Sequence, residues 1–272
     1  MDLTTLSSLC ERVIGIVAGT ADFLEKELGK VQSGDIETKS LNSLVSYVDK
    51  TAEQQLVEQL QKLLPESSFL TEEETVLQSE GEFRWIIDPL DGTTNFLHQV
   101  PVFAISVALQ HHNETVLGVV HEVNRSECFH AVKNGGAYLN NRSIRVSDTN
   151  VLEESLLATG FPYYDYAWLD AYLSAFKFFM QHTRGIRRCG AAAVDLAYVA
   201  AGRFDGFFEY SLQPWDMAAG IILIKEAGGK ISDFQGGDNY LFGNNIIAAN
   251  PEIFEKMKQV ILPCFSEILL DQ

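Results

Sequence analysis

Cysteine is scarce in this chain of 272 residues, and none of its four cysteines belongs to a Cys-x-x-Cys pair. They are Cys10, Cys128, Cys189 and Cys264. No cluster of cysteine and histidine has the spacing of zinc ligands, which argues against a structural zinc site. Free thiols are typical of a reducing compartment, so we expect a cytoplasmic protein.

Long apolar segments are missing as well. No run approaches the ~18 residues that a membrane-spanning helix needs, and the N-terminus lacks the positive charges that begin a signal peptide. The sequence has no low-complexity tract, no internal repeat and no Pro/Gly-rich linker. A length of 272 residues allows one large domain or two small ones. Without a linker we expect a single domain that spans residues 1–272.

Positive charge is also in short supply. The chain has 20 Lys and Arg against 37 Asp and Glu, which gives a formal net charge of -17. Such a surface repels phosphate backbones and anionic lipid, so we expect neither a nucleic acid nor a membrane as partner. It also repels an anionic substrate unless cations are held at the site. Because surplus acid can equally serve solubility, the charge alone leaves bound metal open.

Apolar spacing of three and four residues predicts helices from Leu3 to Leu28 and from Asp49 to Leu64, with a loop or flap at 33–47 between them. Later helices are predicted at Trp168–Gln181, Ala191–Ala201, Asp216–Ala227 and from Pro251 onward. Strands are predicted at Phe83–Ile87, 101–110, 115–123, Glu127–Val132, Ser155–Thr159, Phe204–Tyr210 and Ile246–Ala249. This mixture lacks a regular βαβ rhythm and favours a layered α/β or α+β fold over a barrel.

The segment Asp88-Pro89-Leu90-Asp91-Gly92-Thr93 follows the predicted strand Phe83–Ile87. A turn of this length can aim both aspartates at one point, where they stay ionised only if cations bridge them. Carboxylate oxygens are the ligands that Mg²⁺ prefers. The glycine that follows leaves backbone N–H groups for a phosphate, and Thr93 adds a hydroxyl that can orient a water. All these residue types also favour an ordinary surface turn, so the segment alone leaves that alternative open.

Two further acidic features accompany this segment. The first is the run Glu72-Glu73-Glu74, which precedes the segment and, taken alone, is typical of a solvated surface. The second follows the segment and is Trp215-Asp216-Met217-Ala218-Ala219-Gly220. Taken alone, it indicates the start of a helix that is capped by the aspartate.

Together, the three features resemble the inositol monophosphatase family, a branch of the Mg²⁺-dependent, lithium-sensitive phosphatases. The resemblance runs from about Leu3 to Pro263. It implies a layered αβαβα sandwich with mixed and antiparallel sheets between helix layers. It also implies a phosphoric monoester hydrolase, two Mg²⁺ ions per site with a third left open, a small phosphorylated polyol or sugar as substrate, and a homodimer.

The resemblance also assigns roles by position. It implies metal binding through Glu72, Asp88, the Leu90 carbonyl, Asp91 and Asp216. Gly92 and Thr93 would hold the phosphate, and Thr93 and Glu72 would orient the attacking water. Catalysis would thus rest on Glu72, Asp88, Asp91, Thr93 and Asp216. The implied substrate wall is Gly190, Ala191, Ala192, Asp195 and Glu209, and the implied outer metal shell is Lys39, Asp49 and Glu73.

Three positions depart from the usual family pattern. The flap reads Ser43 to Asp49 where the family has Asp-x-Val-Thr-x-x-Asp, which leaves the third metal in question. Thr71 replaces the glycine that usually precedes the Glu pair. Ala191 replaces a hydroxyl residue, which leaves the choice of polyol open.

Alternative functions stay open from the sequence. A fructose-1,6-bisphosphatase or a nucleotide 3′-phosphatase would share the chemistry, but Thr94-Asn95 stands where the nucleotide branch has Lys-Glu. A non-enzymatic regulatory partner, as some bacterial relatives are, is a different class of function. The complete ligand set argues against that reading.

Overall fold

The computed structural model describes residues 1–40, 43–162 and 165–269, without the side chains of residues 33, 38–40, 43 and 267–269. Within these ranges the α-helices are α1 (Leu3–Glu27), α2 (Tyr47–Leu63), α3 (Thr93–Leu97), α4 (Leu169–His182), α5 (Ala192–Ala200), α6 (Pro214–Glu226) and α7 (Pro251–Leu269). The strands are β1 (Ile36–Ser40), β2 (Ser43–Ser46), β3 (Ser68–Thr71), β4 (Phe83–Asp91), β5 (Ala104–His111), β6 (Glu114–Glu122), β7 (Glu127–Val132), β8 (Gly136–Leu139), β9 (Arg142–Ile144), β10 (Leu156–Thr159), β11 (Gly185–Arg187), β12 (Gly206–Tyr210), β13 (Lys230–Ser232) and β14 (Asn245–Ala249).

Two sheets organise the described chain. The larger has seven strands in sequence order from β3 to β9, and the smaller has the order β11-β10-β12-β14-β13. The predicted strands at 101–110, 115–123 and Glu127–Val132 correspond to β5, β6 and β7, which pair antiparallel as a meander. Both sheets contain parallel pairs, β3 with β4 in the larger and β10 with β11 and β12 in the smaller.

Three helix pairs cover the sheets and complete five layers. α1 and α2 pack on one face of the large sheet, and α6 packs on its other face. α5 contacts both α6 and the small sheet, whose outer face is covered by α4 and α7. Each of the three helix layers has its own apolar core against a sheet. This is the layered α/β architecture with mixed sheets that was expected, and that prediction is confirmed.

The predicted loop at 33–47 is wrong in part. β1 and β2 form an antiparallel hairpin there, and a 3₁₀ turn at Ser33–Asp35 leads into it. The strands are short and rich in serine and threonine, so they lack the apolar alternation by which a strand is recognised. α2 begins at Tyr47 and not at Asp49, because Ser46 and Asp49 form a reciprocal capping box at its start.

Other boundaries shift for local reasons. β4 continues past Ile87 to Asp91, four residues beyond the prediction. α6 begins at Pro214, because proline is well suited to the first turn of a helix. The short strands β3, β8, β9, β11 and β13 carry too few alternating residues to be predicted. Across the described ranges, the helices are too short or too polar to be candidate membrane spans.

Close packing between α6 and the large sheet requires a glycine in β6. A Cβ on Gly118 would lie 2.5 Å from Ile222 Cγ2 and 2.9 Å from the Ala219 backbone, both on α6. We expect Gly118→Ala to lower the free energy of unfolding by about 1–3 kcal/mol through overpacking, as measured by urea denaturation.

The matched control for this prediction is Gly15→Ala in the exposed face of α1. Apart from the adjacent residues and the backbone of α1 itself, no heavy atom of the described residues lies within 4 Å of a Cβ at Gly15. Helix propensity should therefore stabilise this variant by about 0.5–1 kcal/mol. Equal effects at the two glycines would contradict the packing argument.

Candidate functional site

The last four residues of β4 include two aspartates, Asp88 and Asp91. Trp85, Ile86 and Ile87 are buried in the strand. Asp88 pairs with Ser106 of β5 and Asp91 with Ala104, so the register shifts between them and the strand bulges. A bulge re-aims the side chains it carries. The backbone N–H of Leu90 donates to Asp88 Oδ1 at 2.9 Å, which fixes that carboxylate at the turn.

Gly92 turns the chain from β4 into α3. Its φ of +92° lies in the left-handed region, and a Cβ there would sit 3.1 Å from the carbonyl oxygen of Val102. A side chain would be both strained and crowded at this position. Glycine therefore allows α3 to begin at Thr93, only two residues after Asp91.

Thr93 is held by α2. Its Oγ1 lies 3.0 Å from Asp49 Oδ1 and 3.1 Å from the Leu90 carbonyl oxygen, either of which can accept its proton. Asp49 itself accepts bonds at 2.8 Å from the backbone N–H and the hydroxyl of Ser46. The predicted outer residue Asp49 thus orients the hydroxyl of Thr93.

Glu72 follows β3, and its backbone N–H donates to the Ile87 carbonyl at 3.2 Å. The segment around it is held by Glu53 of α2, which is fully buried. The donors to the Glu53 carboxylate are Thr71 Oγ1 at 2.9 Å and three groups at 2.7 Å, namely the N–H of Glu73 and the N–H and hydroxyl of Thr75. Four bonds from both sides of Glu72 fix the course of its backbone.

Asp216 stands in the first turn of α6. Its Oδ2 accepts the backbone N–H of Gln213 at 2.7 Å. The N-cap is Gln213, and Asp216 is the third helical residue, so the interpretation of Asp216 as the capping residue is wrong. The small residues behind it have a packing role. A Cβ on Gly220 would lie 2.5 Å from Leu196 Cβ of α5, so glycine lets the two helices approach closely.

These elements enclose one cleft of about 130 Å³. The predicted residues that line it are Glu72, Asp88, Leu90, Asp91, Gly92, Thr93, Gly190, Ala191, Ala192, Asp195, Glu209 and Asp216. Asp49 lies behind Thr93, and Glu73 contributes its backbone to Glu53 without lining the cleft. The side chain of Lys39 lies outside the described residues.

The carboxyl groups of the cleft oppose one another's ionisation. Burial raises the pKa of Asp88 well above its usual range, and the charges of Glu72 and Asp91 raise it further. Burial raises the pKa of Asp91 to about 7, although it accepts the backbone N–H of Ala193 at 2.7 Å at the start of α5. The pKa of Asp216 is also raised, by burial and then by the charge of Asp91.

This donor set suits a hard divalent cation. Glu72, Asp88, Asp91 and Asp216 offer only oxygen atoms, which Mg²⁺ prefers. Each carboxylate raises the cost of ionising its neighbours, and a bound cation would remove that cost. The residues present therefore fit the Mg²⁺ that the family pattern implies.

The predicted substrate wall of the cleft, which we call the far wall, carries two more buried acids. Asp195 and Glu209 are 1% and 6% exposed, and burial raises the pKa of both well above the usual range. Asp195 Oδ1 has no hydrogen-bond partner within the described structure. A Cβ on Gly160 would overlap the Glu209 carboxylate at 2.0 Å, so this glycine makes room for Glu209.

Sequence reasoning missed three supporting residues. Glu53 is one turn beyond Asp49 on α2, and only the folded chain shows that it receives the Glu72 segment. Asn95 donates to the carbonyls of Val102 and Cys189 at 2.7 and 2.9 Å, which ties α3 to the far wall. Arg188 lines the cleft and lowers the pKa of Asp195 and Glu209 against the effect of burial. Nothing in the sequence around Arg187 and Arg188 indicates that Arg188 lines the cleft.

Comparisons with known proteins cover nearly the whole chain. The profile of the inositol monophosphatase family matches residues 6–267. An inositol-1-monophosphatase of Rhizobium meliloti is 42% identical over 256 residues, which are 94% of this chain and 96% of that protein. The Nus factor SuhB of Pseudomonas aeruginosa is 45% identical over 233 residues, 84% of this chain and 86% of the relative.

A solved structure agrees with the sequence comparisons. The extragenic suppressor protein suhB of Bartonella henselae superposes with a TM-score of 0.89 at 40% identity. The match covers 93% of this chain and 98% of that one. The layered fold and its connections are therefore shared along the length of both chains.

The Glu53 network predicts a large stability effect from a small change. Glu53→Gln keeps the shape of the side chain but turns an acceptor oxygen into a donor that faces existing donors. Leaving buried polar groups unpaired should cost about 2–4 kcal/mol in the free energy of unfolding, measured by urea denaturation.

Glu58→Gln on the same helix is the matched control. Glu58 is exposed and pairs with Lys62 at 2.6 Å across one helical turn, so its loss should cost no more than about 0.5 kcal/mol. A loss at Glu53 as small as the loss at Glu58 would contradict the proposed support of the Glu72 segment.

Proposed function

The chain belongs to the inositol monophosphatase family, and from that premise we propose that it hydrolyses the phosphate monoester of inositol or of a closely related polyol in a Mg²⁺-dependent reaction. The relative from Rhizobium meliloti that carries the family's name aligns with 94% of this chain. The relative's name supports the substrate class, and the residues of the cleft support the reaction type.

One observation carries the proposal most directly. Six carboxyl groups line a single cleft, and they are Glu72, Asp88, Asp91, Asp195, Glu209 and Asp216. A cleft so rich in like charge would repel a phosphate ester. The cleft can bind a phosphate ester only when cations neutralise the acids. A metal-dependent enzyme that acts on an anionic substrate is therefore the function with the best physical support.

Glu72, Asp88, Asp91 and Asp216 would hold the metal. Bound Mg²⁺ supplies positive charge that makes a water more acidic and stabilises the charge that develops during phosphoryl transfer. Asp49 can accept the proton of the Thr93 hydroxyl, which leaves the oxygen of Thr93 able to accept a bond from the attacking water. With Glu72 as a second acceptor, the water is oriented towards phosphorus.

The bond from phosphorus to the sugar oxygen breaks as the bond from the water oxygen forms. None of the described residues that line the cleft is a histidine, and four of its carboxyl groups are assigned to the metal. We infer that the leaving alkoxide takes its proton from water. No covalent intermediate with the protein is required. The role of the chain is to position the groups and to exclude bulk solvent.

The far wall favours a substrate with several hydroxyl groups. Asp195 Oδ1 is buried and has no hydrogen-bond partner among the described residues, which is costly unless a ligand satisfies it. Glu209 lies beside it, and the two acids can accept hydrogen bonds from neighbouring hydroxyls of one ring. This supports a polyol over a simple alkyl phosphate.

A substrate panel tests the proposal. We expect Mg²⁺-dependent release of phosphate from inositol monophosphates, faster than from fructose 1,6-bisphosphate or 3′-phosphoadenosine 5′-phosphate, and inhibition by Li⁺. The readout is inorganic phosphate with Mg²⁺ and with a chelator in its place. No release from any ester on the panel would overturn the enzymatic proposal.

A second function has its own support. Several relatives that are 43–45% identical carry the name Nus factor SuhB, so we also propose a regulatory role that does not need turnover. If a strain that lacks this chain has a growth defect, full rescue by an inactive variant would assign that role, and failure of the rescue would favour the enzyme.

Asp91→Asn is the variant that separates the two functions. Asparagine keeps the size of the side chain but removes a metal-binding charge, and the loss should lower kcat/KM by about 10²-fold or more. The fold should persist, because the change also removes a like charge from the cleft. Phosphate release and the far-ultraviolet circular dichroism spectrum measure the two effects.

Asp22→Asn on the exposed face of α1 is the control for the loss of one negative charge. It should leave kcat/KM unchanged. Full activity of Asp91→Asn would show that the assigned metal ligands are wrong.

A further inference from the structure

Three side chains that can bind metal converge at the end of β4 opposite to the cleft. Glu82 precedes β4, His111 ends β5, and His112 begins the turn into β6. Their ligand atoms all lie within 4.8 Å of one another, and we call them the His–Glu cluster. Glu82 is six residues from Asp88, about 20 Å along an extended strand. The cluster is therefore separate from the carboxylate cleft.

The ligand atoms of the cluster have spacings close to those of a bound ion. Nε2 of His111 lies 3.3 Å from Glu82 Oε1, and Nε2 of His112 lies 3.9 Å from the same oxygen. Two ligands on a tetrahedral ion with bonds of about 2.0–2.1 Å stand about 3.3 Å apart. The Glu82–His111 pair already has this spacing, and the Glu82–His112 pair reaches it by a side-chain shift of about half an ångström. In the third pair, the ligand nitrogens of the two imidazoles lie within 4.8 Å of each other.

The backbone brings the two rings together. Neighbouring residues of a regular strand point to opposite faces of the sheet, but His112 has a φ of +50° and leaves the strand conformation. The ring centroids of His111 and His112 are consequently only 4.3 Å apart. The N–H of His112 donates to the Glu82 carbonyl at 2.9 Å, which ties the turn to the start of β4.

The His111 ring is also fixed in its plane. It stacks on Phe83 with centroids 4.6 Å apart and an angle of 9° between the rings. Stacking and the cross-strand bond therefore limit the rearrangement that an ion would require. The side chains remain accessible, with exposed fractions of 27% for His111, 69% for His112 and 60% for Glu82.

We propose that the His–Glu cluster is a second metal site, which binds Zn²⁺ or a similar transition-metal ion through two imidazoles and one carboxylate and leaves a position for water. Imidazole nitrogen favours Zn²⁺, Cu²⁺ and Ni²⁺, whereas Mg²⁺ favours oxygen. The two sites would thus differ in ligand chemistry as well as in place. An ion here joins the start of β4 to the β5–β6 turn.

Zn²⁺ titration by calorimetry tests this site, with millimolar Mg²⁺ present to compete at the carboxylate cleft. The test variant is His111→Gln with His112→Asn, because asparagine tolerates the left-handed backbone. We expect the wild type to bind one more equivalent of Zn²⁺ than the double variant. Glu82→Gln, a milder change, should weaken binding of that equivalent by about 10-fold or more.

His182→Gln is the control for the loss of an exposed imidazole, because His182 lies near the end of α4 and bonds the Phe178 carbonyl. It should bind Zn²⁺ as the wild type does. Equal stoichiometry and affinity in the wild type and all variants would overturn the site, as would an equal loss in the His182 control.

Two further readouts keep the result interpretable. Zn²⁺ should raise the melting temperature of the wild type more than that of Glu82→Gln, which keeps both histidines. Mg²⁺-dependent phosphate release should be the same in the wild type and the double variant, so failure of this site and failure of the proposed hydrolase are distinguishable. Equal Zn²⁺ shifts in the wild type and Glu82→Gln would overturn the role of the carboxylate.

Discussion

Mutual repulsion among carboxyl groups in one cleft is the constraint on which the rest of the site depends. Asp88 and Asp91 lie at the end of β4 and Asp216 lies in the first turn of α6, and burial and the charges of neighbouring acids raise the pKa of all three. A folded chain holds such a group together only where surrounding packing and hydrogen bonds compensate its cost. The bulge in β4, the N-terminus of α5 and the first turn of α6 provide that support.

Helix α2 has a particular share in this support. Asp49 and Glu53 are one turn apart on its buried face, and each receives a different piece of the site. Asp49 holds the Thr93 hydroxyl, and Glu53 holds the backbone on both sides of Glu72. The helix thereby fixes the distance between the turn at Gly92 and Thr93 and the segment around Glu72, although Glu53 itself does not line the cleft.

Sequence patterns predicted the parts of this arrangement that are local. The long helices have clear apolar periods, and the Asp88–Thr93 segment combines residue types that rarely occur together by chance. The β1–β2 hairpin was missed because its strands are short and polar. Glu53, Asn95 and Arg188 could not be predicted because only the fold brings them to their partners, which lie from seven to 94 residues away. A single buried Glu in a helix resembles any surface Glu until the fold is known.

The register shift in β4 is another feature that the sequence alone does not predict. The sequence indicates that Asp88 and Asp91 end a strand, but not that three steps of β4 stand opposite two of β5. That offset decides where the carboxylates point. The spacing of Asp88 and Asp91 along the chain is therefore a local property. The direction of their side chains depends on how β5 pairs with β4.

Proton release during Mg²⁺ binding tests the central constraint most directly. Because burial raises the pKa of Asp91 to about 7, this carboxyl carries a proton in a growing fraction of molecules as the pH falls below that value, and it must lose that proton when a cation binds. Calorimetry in buffers of different ionisation enthalpy should show protons released near pH 6, fewer released near pH 8, and an affinity for Mg²⁺ that rises with pH and then levels. Binding of Mg²⁺ with no proton release and with the same affinity across this range would contradict the account.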